Sequence, residues 1–243
     1  MTSPRRTFLK HAGIGAAAFA ALPSSSRALS ADPLTLQEES TAAMQEAEAY
    51  FASLEEQPPA EPWDTSWTKR VVGTHKAMFD VPEVEGGAGV MRSAIWQRQY
   101  NDVLKPQAGE MTSVVVIRHS AIPLAMNQEF WTTYEVGKEF KIKGEKDKPM
   151  KFNPVLLQPG AEAGSGMSAY MLDSQIAKGT IVLGCNLAYR SIISHIQQKD
   201  KSTPAEAKKK ADSMLVPGVI MQPSGIFANV MAQQAGCVFV QAV

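Results

Sequence analysis

Residues 113–117 of this 243-residue chain read Ser-Val-Val-Val-Ile, and that run limits the possible folds more than any other feature. A strand with one wet face alternates apolar and polar side chains. A continuous β-branched run instead marks a strand buried on both faces, which calls for helices on each side of a parallel sheet. Residues 180–184 (Thr-Ile-Val-Leu-Gly) repeat the signal. Shorter stretches at 75–81, 219–221 and 238–240 are plausible partners, although the apolar pattern of the first is mixed. Helix-like segments of crossover length separate them. The expectation is a three-layer α/β domain around a mostly parallel five-stranded sheet.

The helical segments have recognisable ends. Residues 87–104 place Val90, Met91, Ala94, Ile95 and Leu104 towards one side. Residues 121–135 read as helical with a break near Pro123, and 166–178 as a helix stopped by Gly179, which suits a left-handed cap. Leu187, Ile192, Ile193 and Ile196 mark the helix after the second buried strand. Thr203-Pro204-Ala205-Glu206 is a capping box with proline at the first helical position. Ser224 can cap a last helix that bears Ile226, Phe227, Val230 and Met231 and stops at Gly236. Residues 138–164, with Pro149, Pro154, Pro159 and several lysines, read as a long surface insertion. No internal repeat is visible.

At the start of the chain, Arg5 and Arg6 followed by Thr7, Phe8, Leu9 and Lys10 resemble the twin-arginine export motif. Residues 12–22 are uncharged and rich in Ala and Gly, but shorter than the roughly 20 apolar residues of a membrane-spanning helix. They fit the apolar region of a cleavable signal, with small residues at 26–31 for cleavage. The chain thus divides into a signal peptide (1–31), an acidic helical linker (32–62) and an α/β domain (63–243) with its insertion at 138–164. Periplasmic or otherwise exported protein is the expectation, with the twin-arginine translocase as a partner. That route generally carries folded proteins, so folding would precede export. Removing 1–31 leaves 20 basic and 24 acidic residues, a net charge of −4. A nucleic-acid binder would need a basic face instead. No later apolar run reaches transmembrane length, so no stable membrane span is expected.

In an open parallel sheet, ligands bind beyond the carboxyl ends of the strands. The residues there are Asp80 and the 86–89 loop, then Arg118, His119 and Ser120, then Cys185 and Asn186, then Gln222, Pro223, Ser224 and Gly225. Cys185 is the sharpest candidate. It follows a buried strand and opens a helix, whose free amides and dipole favour an anion at the sulfur. Such a thiolate could carry a persulfide or attack an electrophilic sulfur; a small, inert buried residue is the alternative. His119 is the candidate base or ion partner for it. Asp80, Asn186, Gln222 and Ser224 are the candidate ligand-binding side chains. The 86–89 loop (Gly-Gly-Ala-Gly) could cradle a phosphate, but Arg92 stands where the dinucleotide fingerprint has its third glycine, so a turn is the better reading. The methionines show no Met-x-x-Met cluster. No cofactor or metal is expected, and a metal or nucleotide site on His119, Asp80 and Cys185 is the weakest alternative. Cys237 opens the last strand, about 17 Å from Cys185 across a parallel sheet. That is beyond the roughly 7 Å between Cα atoms that a disulfide tolerates.

Three segments resemble the DsrE/DsrF-like family of small α/β sulfur-relay proteins. They are residues 113–127 (SVVVIRHSAIPLAMN), 179–190 (GTIVLGCNLAYR) and 223–236, from Pro-Ser-Gly-Ile-Phe-Ala to Ala-Gln-Gln-Ala-Gly. The resemblance spans about 69–242. It implies a flavodoxin- or Rossmann-like layering, a homo-oligomer, and a sulfur-carrying cysteine at Cys185, with an unknown sulfur donor and acceptor. The export signal, the acidic linker and the 138–164 segment set this chain apart from cytoplasmic relay proteins. A non-catalytic module binding a small ligand or partner at the same edge is the competing expectation.

Overall fold

The computed structural model describes residues 63–158, 160 and 166–242. The predicted signal peptide and linker lie outside the described residues. Strands β1 (His75–Val81), β2 (Met111–Ile117), β3 (Ile181–Cys185), β4 (Val219–Gln222) and β5 (Val238–Gln241) form one all-parallel sheet in the order β4-β3-β2-β1-β5. The helices are α1 (Ala88–Leu104), α2 (Gln128–Thr133), α3 (Val136–Glu139), α4 (Leu172–Ala177), α5 (Asn186–Asp200), α6 (Pro204–Ser213) and α7 (Gly225–Gln234).

Period-two alternation sorts the strand side chains into two cores. Phe79, Val81, Val115, Ile117 and Val182 meet Val90 of α1, Ile192 and Ile196 of α5 and the Ala121–Leu124 turn on one face. Met78, Val114, Val116, Ile181 and Leu183 meet Ala228 and Ala232 of α7 and Trp67 of a short 3-10 turn, Ser66–Arg70, on the other. The run at 113–117 is buried because both layers exist. The chain steps outwards from β1 to β4 and then returns through α7 to place β5 on the far side of β1.

Local chemistry explains most boundaries. Thr203 and Glu206 form the reciprocal capping box at the start of α6, and Ser224 accepts the Phe227 amide at the start of α7. Gly179 holds φ at +97°, the left-handed region expected of a helix stop.

Three expectations are altered. The 121–135 stretch splits into a 3-10 turn, His119–Ala125, and the short α2, because Pro123 lacks an N–H; its carbonyl instead accepts the buried Trp131 indole at 2.7 Å. The 138–164 stretch is not all surface. Asn153 is fully buried, donating to the carbonyls of Leu124 and Met126 at 3.0 and 2.7 Å, and Val155 is buried beside it. On α7, Ile226 and Val230 face outwards while Gly225, Ala228 and Ala232 face the sheet. Small residues let that helix approach closely.

Candidate functional site

Adjacent strands whose following loops depart to opposite faces open a crevice at their carboxyl ends. Here that point lies between β3, which leads into α5 on one face, and β4, which leads into α7 on the other. The last residues of these two strands, Cys185 and Gln222, are register partners. Alternation places both on the α7 face, with Leu183 and Ile220. Cys185 is 6% exposed and directly precedes the fifteen-residue α5, whose first-turn amides need an acceptor.

Asp80 and Arg118 complete this row. Asp80, nearly buried, follows Met78 along the α7 face of β1. Arg118 continues the series Val114, Val116 beyond β2. The guanidinium grips the carboxylate with two bonds, Nε to Oδ1 at 2.6 Å and Nη2 to Oδ2 at 2.8 Å. Asn229 of α7 donates to the same Oδ1 at 3.1 Å. These bonds to Asp80 push the Arg118 guanidinium further above its ordinary value, and the nearby Cys185 sulfur acts in the same direction. Gly225 opens α7 against the arginine stem: a Cβ there would lie 2.6 Å from Arg118 Cβ and Cδ. Gln222 donates to the Asp64 and Met221 carbonyls at 2.8 and 2.9 Å. Its Oε1, and Oδ1 of Asn229, are buried acceptors without a donor among the described residues.

The other face of the same edge holds a cavity of about 310 Å³. Its apolar lining is Val84, Ile122, Pro123, Phe140 and Ile142. Glu83, Glu85 and Gly86 of one segment, Lys141 and Lys143 of another, and His119, Ser120 and Ser191 complete the lining. His119 is exposed, with φ at +52°. That left-handed residue turns the chain so that Arg118 stays with Cys185 while His119 joins this cavity.

The proposed site residues therefore separate. Asp80, Cys185 and Gln222 share the α7 face, whereas His119 lines the opposite cavity, which Cys185 does not. Asn186 is the first residue of α5, half-buried. The Ser224 hydroxyl is engaged in capping α7, accepting the Phe227 amide at 3.0 Å. Asn229 joins this row although it was not among the edge residues read from the sequence; Arg118 and Gly225 were placed at that edge but not among the candidate side chains. The signal for Arg118 was its even-numbered place in the β2 alternation; for Gly225 and Asn229 it was their four-residue spacing on one helix face. Cys237 precedes β5 at the amino edge, and burial pushes its thiol up against the opposing pull of Lys76.

Among the described residues, no three His, Cys, Asp or Glu side chains are grouped to hold a metal ion, and no helix is long and apolar enough to cross a membrane. No protein-family model matches the chain, and no curated protein matches it either.

Proposed function

We propose that this is an exported sulfur-handling protein of the DsrE/DsrF-like type, in which Cys185 accepts sulfane sulfur and passes it on. The observation that carries the reading is the position of Cys185: last residue of β3, at the switch point, ahead of α5 and on the sheet face that also carries Asp80 and Gln222. In the transfer, the Cys185 thiolate attacks the outer sulfur of a persulfide donor. A new S–S bond forms at Cys185, the donor's S–S bond breaks, and the electron pair leaves on the donor thiolate. The reverse exchange with an acceptor thiolate regenerates Cys185. Arg118 would face the charge of the bound persulfide, and Asp80 would hold Arg118 in place. The twin-arginine translocase and a second copy of the chain complete the proposed partners.

The test is intact-mass and peptide analysis after incubation with a low-molecular-weight persulfide, beside Cys185→Ser. A gain of about 32 Da, one sulfur, on the peptide containing Cys185 is expected. Wild type that stays unmodified, or equal labelling of Cys185→Ser, overturns the reading. The second reading, a binding module without chemistry at Cys185, draws on the cavity of the opposite face, which Cys185 does not line.

A further inference from the structure

The cavity on the α5 face combines three features that arise from separate chain segments. Its charges are divided by chain segment, with Glu83 and Glu85 on the β1–α1 connection and Lys141 and Lys143 on the segment after α3. Among the described residues no ion pair joins the two segments: Lys143 pairs instead with Asp147 at 3.5 Å. Among the described residues, the side chains of Glu83, Glu85 and Lys141 have no hydrogen-bond or ion-pair partner. The same cavity is lined by the apolar side chains of Val84, Ile122 and Phe140. Three polar lining residues, Glu85, His119 and Lys141, hold φ at +32°, +52° and +56°. Non-glycine residues in this region are uncommon and persist where the surrounding structure imposes them. Both charged segments of the lining thus hold a backbone geometry that their residues do not otherwise favour.

We propose that this cavity binds a small zwitterion of the aliphatic α-amino-acid class. The ammonium group faces Glu83 and Glu85, the carboxylate faces Lys141 with His119 and Ser120 beside it, and the aliphatic side chain rests on Val84, Ile122 and Phe140. A single-charge ligand would leave one set of lining charges unmatched, and a dianion would meet the glutamates. The volume, about 310 Å³, is at the small end of the usual range for ligand sites and suits one such molecule. The site is separate from Cys185 and does not depend on sulfur transfer there.

Calorimetric titration of the full-length protein tests this with three probes of one skeleton: L-leucine, 4-methylpentanoate without the ammonium, and 3-methylbutylamine without the carboxylate. Leucine is expected to bind below about 1 mM, and each analogue about tenfold more weakly, the loss of one charge contact. Glu83→Gln with Glu85→Gln should weaken leucine about tenfold and leave 4-methylpentanoate unchanged, whereas Lys141→Gln should weaken both. These side chains are exposed, so the variants should keep the wild-type melting temperature. Cys185→Ser should bind leucine normally, which separates this site from the sulfur reading. Absence of leucine binding at about 10 mM, or an analogue that binds as tightly as leucine, overturns the proposal.

Discussion

The Asp80–Arg118 pair should show an asymmetry that follows from its burial. The Asp80 side chain is 4% exposed and the Arg118 side chain 31%. Removing one partner of a fully buried pair costs about 3–5 kcal/mol, because the survivor is left charged and unsolvated. Arg118→Ala strands the deeply buried carboxylate with only the Asn229 donor, so about 3 kcal/mol is expected. Asp80→Ala strands a guanidinium that already reaches solvent and can rehydrate, so about 1–2 kcal/mol is expected, including the lost Asn229 bond. The double variant has no stranded charge and should cost about 2–3 kcal/mol, well below the sum of the singles, a coupling of about 2 kcal/mol. For a domain of this size, 3 kcal/mol corresponds to a fall in Tm of roughly 6–12 °C. Urea denaturation of the four proteins at pH 7, followed by far-UV circular dichroism, measures the cycle. A coupling below about 0.5 kcal/mol, or a larger loss from Asp80→Ala than from Arg118→Ala, would refute the argument that burial of the carboxylate dominates.

Gly225→Ala adds a methyl 2.6 Å from the Arg118 stem and should destabilise by about 1–3 kcal/mol, whereas an unconstrained helical glycine would gain up to about 1 kcal/mol; thermal melts decide between the two signs. Asn153→Ala removes the amide that donates to the Leu124 and Met126 carbonyls and accepts from the Val155 amide, so a loss of about 2–4 kcal/mol in urea is expected. A loss under about 0.5 kcal/mol would mean that the 138–164 segment is not anchored there. His195 has its proton affinity lowered chiefly by burial, with Lys199 adding to the effect and Glu139 opposing it. The unfolded chain then binds the proton more readily, so stability present above about pH 6.5 should decline as pH falls below it. His195→Gln should flatten that slope, and an unchanged profile would remove His195 as its source.

The amino-acid sequence by itself determined the layered α/β class. A run such as 113–117 calls for a strand covered on both faces, and the alternation of strands with crossover-length helices makes a parallel sheet between helix layers the arrangement that supplies the cover. The caps at Thr203, Ser224 and Gly179 were legible for a similar reason, since each depends on a hydrogen bond or a φ angle within a few residues. Cys185 at a strand–helix junction belongs to the same class of local fact. Tertiary structure decided the rest. Whether β5 lay beside β4 or β1 depended on where α7 packed, and that choice sets the switch point between β3 and β4. It also separated Arg118 from His119, neighbours in sequence that a single left-handed residue sends to opposite faces. The Asp80 grip on Arg118 spans 38 residues and the Asn229 contact 149. Asn153 likewise reads as a loop residue until the carbonyls it satisfies are brought around it. Such pairings depend on burial and distance between remote segments, which no local pattern encodes.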